Sequence, residues 1–375
     1  MDFVTLGMFI LDEIHYEPPR KPDLDVMGGA GMYAALGARL FRPPPSASAI
    51  GWILHEGHDF PLHIKSTIDT WKTTCDFIQT PTRETTRARN TYGPNGYRAF
   101  RYLNDKIRLD EDSLTLTQLS SSTYHLICSA HRCRNIIDGI LTRREAEVKR
   151  QTDLERNYLL ARAPVFIWEP VPDLCKPSEL GDCLEVLPLV DVFSPNLEEF
   201  GGLLGVSIDL DQPSGWAELQ RRCEELIEPT HSPCRTTAVI RLGEKGCYVA
   251  QPGRQYFRLP AYYEQEGPVT AIDSRAGDKR EPADQSQGSI GRVVDPTGGG
   301  NAFLGGFAIG LRHPEQVSMR EAAAYGTIAA SFAIEQVGVP TLGLSQSGGE
   351  TWNGVSVEGR LREYIRRISD VETRA

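Results

Sequence analysis

Nothing in this sequence approaches the roughly 20 consecutive apolar residues that a membrane-crossing helix requires, so no transmembrane segment is expected. Basic residues are not in excess either. Lys and Arg number 40 against 50 for Asp and Glu, a net charge of −10. That balance works against the phosphate neutralisation that nucleic acid or an anionic membrane demands, so neither is expected as a partner, although a local basic pocket for a small anion stays open. The eight cysteines include no C-x-x-C pair, and the eight histidines form no H-x-x-x-H or mixed Cys/His ligand cluster. A zinc site is therefore not expected, and Cys128 and Cys133 read as core or loop thiols rather than nucleophiles. The N-terminal run Met1 to Leu11 is apolar but short, carries Asp2, meets Asp12 and Glu13 at once, and lacks a basic n-region. It reads as a first buried strand of a cytoplasmic protein with reduced thiols.

What the chain does have is length and apolar content: 375 residues, 40% of them hydrophobic, enough for a sizeable core. Short apolar runs at Phe3 to Leu11, Tyr124 to Ser129, Val165 to Trp168, Val190 to Phe193 and Ala238 to Leu242 are bounded by turn residues. Such runs suit strands covered on both faces, hence a largely parallel sheet in an α/β domain. Leu114 to Leu119, Arg134 to Arg143 and Trp216 to Ile227 look amphipathic and helical. Thr73 to Leu103 alternates Thr, Arg and Tyr around Gly93-Pro94-Asn95-Gly96 and reads as a small antiparallel flap. Its Arg83, Arg87, Arg89, Arg98 and Arg101 suit a solvated strand face more than a phosphate contact. Arg42 to Ser46, with three prolines, is a rigid connection after a helix. Glu264 to Gly291 has almost no large apolar side chain and is expected to be a disordered loop.

The chemistry concentrates in Val293-Val294-Asp295-Pro296-Thr297-Gly298-Gly299-Gly300-Asn301, followed by the small-residue run Ala302 to Phe307. A strand end, three glycines and a helix start would let unpaired backbone N–H groups face an anion. The alternative is a glycine-rich turn chosen only for close strand–helix packing.

This segment resembles the C-terminal signature D-[TP]-x-G-A-G-D of the phosphofructokinase-B or ribokinase-like family of sugar and nucleoside kinases. Three other elements follow the family pattern in order. Gly28-Gly29-Ala30-Gly31-Met32-Tyr33-Ala34-Ala35 is similar to G-G-x-x-x-N-x-A, with Tyr33 in place of the asparagine. Asn196-Leu197-Glu198-Glu199 matches N-x-x-E. Leu242-Gly243-Glu244-Lys245-Gly246 is similar to T-x-G-x-x-G, with Arg241 in place of the threonine. The resemblance spans about residues 3 to 340.

What it implies is a ribokinase-like α/β/α fold as one domain over residues 1–345, a β-flap from about 12–27 and 73–103 over the cleft, and a C-terminal helical tail over 346–375. It implies ATP and Mg²⁺ as cofactors and a sugar-like or nucleoside-like alcohol as substrate. Gly298, Gly299 and Gly300, with the Asn301 amide, would form the anion hole. Asp12, Gly28, Gly29 and Tyr33 would meet the substrate, although Asp12 alone would also suit a strand-end hydrogen bond. Asn196, Arg241, Gly243 and Gly246 would meet the nucleotide. Glu199 and Asp295 would order the metal, although Glu198 and Glu199 also suit a helix first turn by dipole alone. The departure that matters is Asn301, which stands where the family has the aspartate that takes the proton from the attacking hydroxyl. An amide cannot accept that proton, and general-base catalysis commonly supplies ~10²–10⁴ in rate. Two functions follow: weak phosphoryl transfer, or an inactive pseudokinase with a regulatory or scaffold role. The Pro-Thr-Gly-Gly-Gly-Asn run is shared by fungal members that resemble the yeast killer-virus maintenance protein. A homodimer through the flap is open, but the arginine-rich flap offers no clear apolar stripe for it.

Overall fold

The computed structural model of the chain describes residues 1–93, 98–150, 153–227, 235–254, 256–263, 293–312 and 317–372. The expected disordered loop over Glu264 to Gly291 and the Pro94-Asn95-Gly96 turn lie outside these residues. From the N-terminus, β1 (Phe3–Thr5) is followed by β2 (Ile10–His15), β3 (Asp23–Gly28), α1 (Ala30–Arg39), β4 (Ile50–Gly57), α2 (Leu62–Thr70) and β5 (Thr74–Thr80). Next come β6 (Arg87–Tyr92), β7 (Arg98–Tyr102), α3 (Leu116–Leu119), β8 (Thr123–Cys128), α4 (Ala130–Arg150), α5 (Leu154–Ala161) and β9 (Val165–Pro170). The chain continues through α6 (Leu180–Val186), β10 (Val192–Phe193), α7 (Leu197–Leu204), α8 (Pro213–Ile227), β11 (Thr237–Arg241), β12 (Cys247–Ala250) and β13 (Phe257–Leu259). It ends with α9 (Gly299–Leu311), α10 (Met319–Ala333), the hairpin β14 (Leu342–Leu344) and β15 (Glu350–Trp352), and α11 (Val357–Glu372).

The central sheet has the order β13-β12-β11-β10-β9-β8-β1-β4-β5. From β5 to β11 neighbouring strands are parallel, and β12 and β13 close one edge antiparallel. Period-two alternation divides the strand residues between two cores. Phe3, Trp52, Ile167, Val192 and Val239 face α1, α9 and α10, while Val4, Ile53, Leu126, Phe166, Phe193 and Ile240 face α4 and α8. Both faces are therefore apolar, as the uninterrupted hydrophobic runs of parallel strands require.

Two helices fix the position of the glycine-rich segment. α9 lies against α1 so closely that a methyl on Gly37 would collide with the Ala302 carbonyl, and one on Gly305 with the Ala34 carbonyl. Only the absence of side chains permits that approach, and it locks the start of α9 against the second half of α1.

The second sheet, order β3-β2-β6-β7, is the flap. Its membership differs from expectation in two ways. The run Phe3 to Leu11 is not one strand, because β1 ends at Thr5 in the central sheet and β2 begins at Ile10 in the flap. Thr74–Thr80 belongs to the central sheet, pairing parallel with β4. As an edge strand it is only half-buried along its length, which imitates the pattern of a flap strand. The flap is also mixed rather than antiparallel throughout, since β2 pairs parallel with β6. Two of its arginines are paired: Arg87 bridges Asp25 (2.8 Å) and Asp59 (2.6 Å), and Arg89 pairs with Glu13 (2.7 Å), while Arg101 is exposed. Val293 and Val294 form no strand; they are exposed, and the N–H groups of Val294 and Asp295 both donate to the Ile334 carbonyl. Among the described residues no helix is long and apolar enough to cross a membrane.

Candidate active site

The C-terminal ends of β1, β8, β9, β10 and β11 converge on the N-terminus of α9, the place where open parallel sheets bind ligands. Gly298 occupies the position before α9 with φ of 78°, a left-handed conformation that favours glycine. The first-turn N–H groups of Gly300 and Asn301 have no carbonyl four residues back within the helix, so they face outward at its positive end. The Tyr33 ring packs directly on Gly298, and its hydroxyl donates to the Gly338 carbonyl at 3.2 Å. The residue that replaces the family's asparagine thus contacts the anion loop itself.

Asn301 is held by a carboxylate that sequence reasoning missed. Its Nδ2 donates to Glu169 Oε2 at 2.7 Å, from the end of β9. The same carboxylate meets His125 Nε2 at 3.1 Å and Arg241 Nη1 at 2.8 Å through Oε1. His125 Nδ1 lies 3.0 Å from the Thr5 hydroxyl, which accepts from the Gly7 N–H at 3.1 Å. Burial pushes the Glu169 carboxyl up, but Arg241, His125 and the Asn301 amide together outweigh it and hold the group below the usual carboxylate range. A lone glutamate closing the apolar run Val165-Phe166-Ile167-Trp168 was the signal available in the sequence.

Arg241, at the end of β11, extends to Gly300, where an added methyl would collide with its Nη1. Its Nη2 donates to the Ser194 carbonyl (3.1 Å) and to Glu199 Oε2 (3.3 Å). Glu199 also closes a capping box on α7: its carboxylate accepts from the Asn196 N–H at 2.7 Å while Asn196 Oδ1 accepts from the Glu199 N–H at 2.8 Å. Burial, only partly offset by Arg241, pushes the Glu199 carboxyl up to about 7. Gly243 and Gly246, with φ of 60° and 85°, shape the turn into β12 just beyond Arg241.

Of two other expected groupings, one is brought together in part and one is not. Asp12 and Gly28 are neighbours in the flap, so close that a methyl on Gly28 would strike the Asp12 carboxylate; Gly29, with φ of 91°, precedes α1. Asp295 does not join Glu199. It accepts from Thr297 N (2.9 Å), Thr297 Oγ1 (2.6 Å) and the Tyr92 hydroxyl of the flap (2.7 Å). Among the described residues no group of three His, Cys, Asp or Glu is placed to hold a metal ion. With Glu169 and Glu199 paired to Arg241 and Asp295 Oδ1 taken by two hydroxyls and an amide, this donor set offers Mg²⁺ no uncommitted pair of carboxylates.

No protein-family model matches the chain. An uncharacterized protein of Schizosaccharomyces pombe is 31% identical over 387 residues, covering 100% of this chain and 96% of that protein. Protein MAK32 of Saccharomyces cerevisiae is 31% identical over 378 residues, covering 96% of this chain and 91% of MAK32. The chain belongs to the MAK32 family. Several solved structures similar to this MAK32-family chain are named as kinases. Ribokinase from Giardia lamblia aligns with a TM-score of 0.62 at 15% identity over 98% of this chain and 99% of that one. Ribokinase from Cryptococcus neoformans in complex with ADP aligns at 0.59 and 18%, over 90% and 95%. A putative ribokinase II of Escherichia coli in complex with ATP and Mg²⁺ aligns at 0.59 and 15%, over 98% and 99%. The MAK32-family chain therefore has the ribokinase-like α/β fold, with a large mixed sheet flanked by helices.

Proposed function

We propose that this MAK32-family protein is a ligand-binding relative of the carbohydrate kinases: it holds a nucleotide or phosphorylated sugar-like molecule at the Gly298–Asn301 loop and does not turn it over by general-base phosphoryl transfer. One observation carries this reading. At the base position the Asn301 side chain presents Nδ2 to Glu169 at 2.7 Å, a donor committed to a buried carboxylate. The helix N-terminus that would receive phosphate is retained. The ADP and ATP complexes of the similar ribokinases support a nucleotide as the ligand.

A weak phosphotransferase is the second reading, favoured by Glu169, a carboxylate beside the position of the missing base. Its ion pairs with Arg241 and His125 make it a poor proton acceptor, so this reading predicts rates lowered by about 10²–10⁴. The test is calorimetry with ATP, followed by a phosphate-transfer screen over pentoses, hexoses and nucleosides. The proposal expects binding without turnover. Turnover of any of these alcohols would refute it, and a rate about 10²–10⁴ below the roughly 1–100 s⁻¹ usual for kinases would favour the second reading.

A further inference from the structure

Arg241 occupies this site as a cation of the chain's own. Its guanidinium lies between two carboxylates, 2.8 Å from Glu169 and 3.3 Å from Glu199, and against Gly300 in the first turn of α9. Its side chain is 11% exposed, and its Nε is buried without a hydrogen-bond partner. Nη1 is the atom at the start of α9, and Nε leaves this guanidinium one N–H short of its full set of acceptors. The two carboxylates that would have to draw a divalent ion here already share the guanidinium as their ion-pair partner, which is the disagreement with Mg²⁺ noted above. We propose that Arg241 takes the place of a divalent metal, so that the phosphate group of the ligand binds at the start of α9 without Mg²⁺.

The proposal rests on the ligand-binding reading and specifies its chemistry. An arriving phosphate would accept from the Gly300 and Asn301 N–H groups and from Arg241. It would compete with Glu199, the longer of the two ion pairs, for the fork. A planar guanidinium serves two acceptors at once, whereas a lysine ammonium at the same place would remain a point charge.

Calorimetry of ATP binding to the full chain, in Mg²⁺ and in excess EDTA, tests this. The dissociation constants are expected to agree within about threefold, less than the tenfold that separates distinct binding modes. Arg241→Lys keeps a partner for the buried Glu169 but loses the fork, and is expected to weaken binding in EDTA about tenfold. Glu199→Gln removes the competing carboxylate while its amide oxygen still accepts from Asn196, and is expected to tighten binding in EDTA. Melting curves of both variants report whether they are folded. ATP binding that needs Mg²⁺ would overturn the proposal and leave the ligand-binding reading standing. Equal binding by parent and Arg241→Lys in EDTA would overturn the part assigned to Arg241. No binding of ATP in either condition would overturn both.

Discussion

Restoring the family's aspartate by Asn301→Asp exposes the chemistry of the site more sharply than any truncation. The exchange removes a donor 2.7 Å from Glu169 Oε2 and puts a carboxylate oxygen in its place. Two unit charges about 4 Å apart at an effective dielectric of about 20 repel by ~4 kcal/mol. That is a ceiling, since Arg241 stays 2.8 Å from Glu169 Oε1 and absorbs part of the repulsion. The pair escapes it by binding one proton, which raises one folded carboxyl pKa by up to about 3 units at 1.36 kcal/mol each. The folded state then holds more protons than the unfolded state between about pH 4 and pH 7, so stability falls as pH rises through that window. Below it, a shared proton restores a hydrogen bond and the variant is expected to approach the parent. Above it, the loss levels off below that ceiling of about 4 kcal/mol, up to several degrees in melting temperature. The assay is thermal unfolding of parent and variant from pH 5 to pH 8.5. Glu169→Gln combined with Asn301→Asp restores one donor and one acceptor and is expected to recover at least half of the loss at pH 8. A stability difference that stays flat across this range would refute the Asn301–Glu169 contact and the reasoning built on it. The same repulsion means that Asn301→Asp alone is not expected to restore phosphoryl transfer.

Two further outcomes are expected. Burial raises the Glu199 carboxyl to about 7, above its unfolded value, so the stability it contributes is present in acid and is lost as pH rises through about 7. Glu199→Gln should flatten that part of the pH–stability curve, and a variant that retains the parent's slope would contradict this. Tyr92→Phe deletes the 2.7 Å hydrogen bond between flap and anion loop at a cost of about 1.5–3 kcal/mol for a bond to a charged acceptor. Amide hydrogen exchange should then accelerate together in Arg87–Tyr92 and around Thr297; exchange unchanged in both would show that the contact does not tie the flap down.

The strands legible in the sequence were those covered on both faces. β8, β9, β10 and β11 appear there as bare apolar runs because helices pack on each side of them. The N-terminal run misled for the same reason: Phe3 to Leu11 is buried almost throughout, and only the tertiary path around Gly7 separates a central strand from a flap strand. β4, carrying Ile50, Trp52, Ile53 and Leu54, is as apolar as its neighbours but follows a proline-rich turn and was not singled out. The loop motifs were readable because their function depends on backbone: Gly298 needs its left-handed conformation, and Asn196 and Glu199 need their capping spacing. The side-chain network was not readable, because Thr5, His125, Glu169 and Arg241 come from four strands and meet only once the sheet has formed. The Tyr92 contact to Asp295 joins residues 203 apart in sequence and left no local mark.

The two departures from the family pattern that looked like independent losses meet at one carboxylate. Asn301 stands for aspartate and Arg241 for threonine, and both side chains contact Glu169. Each exchange makes the site one unit more positive, and together they equal the charge of one divalent ion. Had only the aspartate been lost, Glu169 would face an amide with no cation in reach except through His125. Had only the arginine been gained, the guanidinium would have paired with the catalytic aspartate and withdrawn it from the hydroxyl it serves. Joined, they leave a buried cluster in which Glu169 is satisfied on both oxygens and the Arg241 guanidinium rests against Gly300 in the first turn of α9. A kinase that had simply decayed would have no reason to show both changes in contact. Paired in this way, they fit a site kept for holding an anion after it ceased to activate a hydroxyl.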